Sequence, residues 1–524
     1  MRRWEEKALS KSELYKALRA GRDPAVDLVK LLQDLRDDSV KTAVEAREIV
    51  ALLKLLPRVS RFSESGSELR ALAALFQLAA SEEAFEVLLD DGIPELCRLF
   101  DLLVNAEDEQ TEEVVLFVVK ILAMFWTEEG ARRVIAAARR PLQPDSYLWS
   151  IIFSQFNEEH PETDLVLDAL RDPLPPDFIR VSLLDCANQR ALETKEGGFV
   201  HPFDTPAGRD QLREWLSAGD DAEVSYAQSA AGSLPFLSNP DRDELVSLAL
   251  DHVELRVQME GAWASARLGS EAGLKILRRY CVDLNRSARA RYYLEDLERE
   301  DLIPDEAQAP DFMARAEFAH WLAHPNELGR FPDTVEIVDH RELEWPPNGD
   351  RKSLWVVRYT AKNDDGEIDT DCGLVGSVTF CLFRWEMGRR PPEDVYAIHC
   401  AWEMEGSDLI EVVDASQTDR KLPLPIGQWR GSPLENLRVL SVARLAPELN
   451  YPQEVVTLVE GTREGNLGWL VLDGPRSRWY PASEMPTGVT PSTVRMLHIG
   501  RVLLEFTDEP DRKWYLNAGG NSPG

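Results

Sequence analysis

The segment Val257-Gln258-Met259-Glu260-Gly261-Ala262-Trp263-Ala264-Ser265-Ala266-Arg267-Leu268-Gly269 runs directly into Ser270-Glu271-Ala272-Gly273-Leu274-Lys275-Ile276-Leu277. Its apolar and small residues recur at helical spacing, stop at Gly269 and start again after it. Ala262, Ala266 and Gly269 let neighbouring helices approach closely, while Val257, Leu268, Leu274 and Leu277 fill the seam between them. Working outward, residues 222–250 carry a second small-residue face, Ala227, Ala230 and Ala231, and read as a degenerate preceding unit of the same kind.

The same texture extends back to the start of the chain. Residues 1–324 read as a succession of amphipathic helices with short polar joints, among them 25–36, 40–56, 68–80, 93–105, 112–126, 209–218, 241–251, 255–268, 272–282 and 287–297. Prolines and glycines sit in the joints, as at Pro57, Gly92-Ile93-Pro94, Pro141, Pro161, Pro173, Pro206 and Pro240. The triplet Ser81-Glu82-Glu83 returns as Thr127-Glu128-Glu129, 46 residues later, with Leu88 and Leu89 matched by Val134 and Ile135. A Ser or Thr before two glutamates is a helix N-cap, because its hydroxyl accepts from the first free backbone amides. A break at residues 193–205, with Gly197-Gly198 and Pro202, divides the array or inserts a loop on one of its faces.

These features carry two family resemblances. The unit repeating from Ser81 to Thr127 resembles an armadillo-type three-helix repeat over about 70 residues. The segment 257–277 resembles the bacterial HEAT repeat of the phycobilisome-lyase-like type, whose second helix reads V-R-x-E-A-A-x-A-L-x-x-L-G; Gly261 and Trp263 depart from it. The fold class this implies is an all-α superhelix, a HEAT/armadillo-like solenoid, followed by a mainly-β or α+β C-terminal domain. The expected organisation is armadillo-like repeats over 1–192, HEAT-like repeats over 206–324, a strand-rich domain over 325–415 and a second strand-rich lobe over 434–518. The strings Gly373–Phe380 and Pro392–Glu403 look similar to segments attached to HEAT repeats in bacterial proteins, a resemblance that implies no activity.

After Pro325 the period changes from helical to two. Trp355, Val357 and Tyr359 alternate with Val356 and Arg358, and 374–383 reads as a buried strand. Further strands are expected at 395–404, 409–413, 455–459, 467–472 and 494–506. Asp365-Gly366 marks a hairpin. Eight of the 14 tryptophans follow residue 325, and residues 416–433 separate the two expected lobes.

The 524 residues carry 92 acidic and 59 basic side chains, a formal net charge of −33. With a pI near 4.7 the whole chain lacks the basic footprint that nucleic acid or an anionic membrane requires. Apolar residues at 44% and charged residues at 29% describe a globular chain. No apolar run reaches the roughly 18 residues of a membrane span, and the basic N-terminus lacks the apolar core of a secretory signal. The six cysteines form no CxxC, a reduced, cytoplasmic pattern. Arginine far outnumbers lysine, as in a GC-rich bacterial genome. No phosphate loop, dinucleotide fingerprint, nucleophile elbow or kinase signature occurs.

Three places hold residues with chemical potential. Glu317, His320 and His324 share one helix face and form a candidate divalent-metal set; the alternative is a helix whose C-terminus is capped by His324. His399 and Glu403 share one face of the expected strand, with Cys400 on the other, so His399-Cys400 is no dyad. With His324 and Glu327 they are the candidate binding residues. The loop Asn363–Asp371 is rich in carboxylates, without EF-hand spacing. The arginine doublets at Arg132, Arg139, Arg278 and Arg389 read as solenoid surface or as a lining for an acidic peptide. No cofactor is expected. The leading expectation is a non-enzymatic scaffold or adaptor that binds a basic or neutral protein or peptide on a solenoid surface. The rival is a lyase- or hydrolase-like enzyme with its site where the helical array meets the C-terminal domain, to which the bilin-lyase resemblance lends some weight.

Overall fold

The structure, a computed structural model, describes residues 40–508 apart from 57–66, 107, 195–198, 219–223, 239–240, 364, 384–385, 418–432, 450, 452, 475 and 486–488. The expected helix at 25–36 lies outside the described residues, as does most of the expected separator at 416–433. The chain forms two compact units that divide between Leu274 and Lys275.

The first unit is helical: α1 (Ala43–Leu55), α2 (Ser67–Leu75), α3 (Glu82–Val87), α4 (Ile93–Leu103), α5 (Glu109–Met124), α6 (Glu128–Arg139), α7 (Leu148–Phe153), α8 (Thr163–Ala169), α9 (Asp177–Glu193), α10 (Pro206–Ser217), α11 (Val224–Ser233), α12 (Arg242–Leu250) and α13 (Leu255–Arg267). The repeated N-caps do what their chemistry requires. Ser81 Oγ accepts from the Ala84 amide at 3.2 Å, and Thr127 Oγ1 accepts from Gly130 at 3.1 Å. The helices α5, α7, α9, α11 and α13 pack each on the next, as a row. A second row lies against it, in which α6 packs on α4 and α8, and α10 on α12. The small residues are what bring the helices together. Alanine at Gly261 would strike Ala249 of α12, and a side chain at Gly273 would strike the α13 backbone at Ala262 and Ala266.

The second unit opens with helices and turns to strands, so the coarse expectation of helices followed by a strand-rich part holds. The helix α14 (Glu271–Tyr280) spans the division; α15 (Ser287–Asp296) and α16 (Pro310–Leu322) follow it. The strands β1 (Thr334–Trp345), β2 (Asp350–Lys362), β3 (Ile368–Val375) and β4 (Phe380–Cys381) form an antiparallel meander in sequence order. The expected Asp365-Gly366 turn joins β2 to β3, with Gly366 at φ +87°. The expected strand 374–383 is instead the end of β3, a turn at Gly376 and the short β4. Next come α17 (Pro392–Gly406), β5 (Ile410–Asp414), β6 (Leu434–Leu445), β7 (Val455–Arg463), β8 (Asn466–Asp473), β9 (Arg476–Pro481) and α18 (Pro491–Asp508). The strands β5 to β9 make a second antiparallel sheet, again in sequence order.

Two further expectations are overturned. The segments 395–404 and 494–506 are not strands but the bodies of α17 and α18. Both helices begin with proline, whose missing N–H costs nothing at a first helical position. Both are buried almost all round: Asp394 to Ala401 and Thr493 to Gly500 are buried without interruption. A helix covered on every side has no polar stripe, so its sequence reads as a continuous apolar run and imitates a buried strand.

The cover is a single core. Leu343, Trp345, Leu354, Val356 and Leu374 of the first sheet share it with α17, α18 and Ala443, Val456, Leu458, Val471 and Tyr480 of the second. The opposite face of the first sheet, Val335, Val357, Tyr359, Ala361 and Val375, packs on Ala314, Phe318 and Leu322 of α16. The helices α17 and α18 touch so closely that any side chain at Gly500 would strike the Ala397 carbonyl.

Candidate functional site

The residues expected from the sequence fall on both sides of the first sheet. On α16, Glu317 is exposed and its carboxylate accepts a hydrogen bond from Thr379 Oγ1. His320 is exposed by area, yet desolvation by its surroundings, then the Arg289 charge and His324, lowers its basicity. His324, one turn beyond, uses Nδ1 to accept from the Asn326 amide at 3.3 Å. Its main-chain carbonyl accepts from the amide of Glu327. Among the described residues no three His, Cys, Asp or Glu side chains stand close enough to hold one metal ion. The face is as expected; the ligand set is not assembled.

His399 and Glu403 lie on α17, against the other face of the sheet. The helix places them one turn apart, and it puts His399 and Cys400 100° apart rather than back to back, which corrects the strand argument. His399 is fully buried. Its Nδ1–H donates to the Val395 carbonyl at 2.8 Å, and its ring lies 4.6 Å from that of Phe380. Burial pushes its pKa down to about 4, against the pull of the Val395 and Phe380 main chain. Glu403 accepts from Trp345 Nε1 at 2.8 Å and from Ser377 Oγ at 3.1 Å, tying β1 and the β3–β4 turn to the helix. The sheet therefore stands between the α16 residues and the α17 pair, and the six candidates do not converge.

One polar cluster of the second unit was not expected. It is built on α18, where Arg495, His498 and Arg501 follow each other at intervals of three. Arg495 donates to Ser441 Oγ at 3.2 Å and to Glu405 at 3.2 Å. His498 faces Asp473 Oδ2 with Nε2 at 3.3 Å, and the Tyr480 hydroxyl lies 3.4 Å from its Nδ1. Tyr451 donates to the same Asp473 oxygen at 2.7 Å. Asp473 and His498 are buried to 0% and 1% exposure; both contacts fall on Oδ2 of this aspartate, and its Oδ1 has no hydrogen-bond partner among the described residues. Arg501 donates from Nε to Asp394 Oδ1 at 2.8 Å and from Nη2 to the same oxygen. Burial raises the Tyr480 pKa, while Arg478 and Arg501 oppose it.

In the first unit, three consecutive helices of the α5–α13 row contribute polar groups to one place. Asp185 and Asn188 come from α9, Gln228 and Ser229 from α11, and Glu260 from α13. Asn188 Nδ2 donates to the Ser229 carbonyl at 2.9 Å, and its Oδ1 meets His201 Nε2 at 3.1 Å. Gln228 Nε2 donates to Glu260 Oε1 at 3.1 Å. Asp185 is reached by solvent but walled by its neighbours. That desolvation, with Glu260 adding to it and Ser229 opposing, pushes its carboxyl up to about 6.

No protein-family model, curated protein or solved structure matches the chain.

Proposed function

We propose that the chain is a protein-interaction scaffold: an α-solenoid of HEAT/armadillo type that binds a basic segment of a protein partner along the α9–α11–α13 face. The observation that carries this reading is Asp185. A carboxyl held at the surface, with Glu260 close enough to disfavour its charge, gains most from a cationic side chain. The polar atoms from α9, α11 and α13 lie along successive helices, as the contacts of a solenoid with an extended segment do. The net charge of −33 favours such a partner over an acidic one. His399 and Glu403 serve packing, and the α16 residues lie across the sheet from them, which favours a scaffold over an enzyme built from these groups. No helix among the described residues is long and apolar enough to cross a membrane. All six cysteines are buried free thiols, which fits a cytoplasmic setting.

Fluorescence anisotropy with lysine- and arginine-rich peptides tests the proposal. Saturable binding is expected that weakens with salt, and weakens about tenfold in D185N/E260Q. Equal binding of acidic peptides, or none of basic ones, overturns it.

A further inference from the structure

The two sheets of the second unit are built alike. The strand β1 shifts register between Ile337 and Asp339 where it pairs with Val357 and Val356 of β2, and β6 shifts between Val439 and Ser441 where it pairs with Val459 and Leu458 of β7. Val356 then pairs with Leu374 of β3, and Leu458 with Val471 of β8. Each meander ends in a helix, and the helices share a pattern at one spacing: Pro392, Val395, Ile398 and His399 against Pro491, Val494, Leu497 and His498. So β1–β4 with α17 and β6–β9 with α18 are two copies of one unit. The first copy is preceded by α14, α15 and α16; before the second, among the described residues, stands β5 instead. The pair α14 and α15 is therefore no part of the repeated unit.

That pair carries a charge opposite to the chain's. Residues 275–291 hold Lys275, Arg278, Arg279, Arg286, Arg289 and Arg291 against Asp283 alone, in a chain of net charge −33. Lys275, Arg278 and Arg279 share the exposed side of α14 and form no ion pair with any described residue. Tyrosine rings hold the guanidiniums beside them. Arg279 and Arg286 lie 4.9 and 5.0 Å from the centroid of the Tyr280 ring, so two like charges share one ring. Arg286 Nη1 also donates to Asp283 Oδ2 at 2.8 Å. Arg289 lies 4.7 Å from the Tyr293 ring and 5.5 Å from that of Tyr292, and its Nε donates to the Tyr293 hydroxyl at 2.8 Å. A guanidinium held over a ring is positioned in advance, with N–H groups at its edge for an oxygen acceptor.

Helix stability does not account for this placement. Arg278 and Arg279 stand in the last turn of α14, where cations suit the dipole. Arg286 is the N-cap of α15 and Arg289 lies in its first turn, where the positive end of the dipole repels them, and no acidic residue in that turn offsets the pair.

We propose that Arg279, Arg286 and Arg289, with Lys275 and Arg278 beside them, bind a phosphorylated segment of a protein partner. A carboxylate meets one guanidinium, as Asp283 meets Arg286. A phosphomonoester carries about two charges on three acceptor oxygens and can bridge the two guanidiniums at Tyr280. A long polyanion such as RNA is disfavoured by repulsion from a chain of net charge −33, which a single phosphate hardly feels. The site uses no residue of the α9–α11–α13 face.

The test is fluorescence anisotropy of the full chain with a short neutral peptide carrying one phosphoserine, beside its unphosphorylated twin, a Glu-rich peptide and single-stranded RNA. The phosphopeptide is expected to bind saturably, and each of the others at least about tenfold more weakly. Arg279→Gln/Arg286→Gln is expected to lose that binding, and D185N/E260Q to keep it. Arg279→Lys/Arg286→Lys retains the charge without the fork, is expected to bind about tenfold more weakly, and reports in place of the glutamine variant should that one not fold. No saturable binding of the phosphopeptide overturns the proposal, as does equal binding of the twin, the Glu-rich peptide or the RNA, or undiminished binding in a folded arginine variant.

Discussion

His399 of α17 and His498 of α18 occupy the same position in two copies of one architecture, and they live in different chemistry. His399 is surrounded by apolar side chains and bonds only to main chain, so it is held neutral. His498 has acquired Asp473, Tyr480 and, through the aspartate, Tyr451. The scaffold of strands and helix is indifferent to which of these it carries. What a duplicated unit keeps is therefore packing, and what it varies is the polar complement at the helix.

The largest expected effect tests that contrast directly. His498→Leu leaves the buried Asp473 with one fewer hydrogen-bond partner, and unfolding in urea should show a loss of about 2–3 kcal/mol. The double variant Asp473→Leu/His498→Leu removes both partners and should recover most of that loss. His399→Leu at neutral pH should cost under about 1.5 kcal/mol, as a nearly volume-conserving core change. Equal losses at the two histidines would break the comparison.

Acid should widen the difference. The folded-state pKa of His399, about 4, lies below its ordinary 6.5, so as the pH falls the unfolded chain takes up this proton first. The stability it contributes is complete above pH 6.5 and is lost as the pH drops through 4, about 3 kcal/mol in all. The difference between wild type and His399→Leu, followed by chemical denaturation from pH 7 to pH 4, should change by that amount in favour of the variant. A constant difference would show that His399 is not held neutral.

Gly500→Ala probes what the copies share. The new methyl meets the Ala397 carbonyl, so α17 and α18 must separate, at a cost of about 1–3 kcal/mol in thermal unfolding. The smallest effect belongs to the helical unit. The Asp185 pKa is raised in the folded chain, so its ionisation opposes folding as the pH rises from about 4 to about 6. Asp185→Asn should stabilise the protein at pH 7 by about 1 kcal/mol, solvent screening of this exposed group having cut the effect. The gain should vanish below pH 4.

Much of this architecture is legible in the residues. The small residues of α13, the caps Ser81 and Thr127 and the Asp365-Gly366 turn are local signals, and each stands where its chemistry puts it. The helices α17 and α18 were misleading for a physical reason, since burial almost all round erases the helical stripe from Val395 to Ala401. The repeated spacing of Pro392 to His399 and Pro491 to His498 was the available clue to them. The polar clusters were beyond local reading: Asp394 and Arg501 meet across 107 residues, and Asp185 and Glu260 belong to different helices.

The scaffold reading stands or falls on where a partner touches the helical unit. A photo-crosslinking residue at Gln189, one turn from Asp185 on α9, should capture a protein partner from source-cell extract through a lysine- or arginine-rich segment. The same residue at Asp210, on α10 of the other row, should not. Capture from position 210 and not from 189, or capture at 189 that survives Asp185→Asn/Glu260→Gln undiminished, would contradict the account.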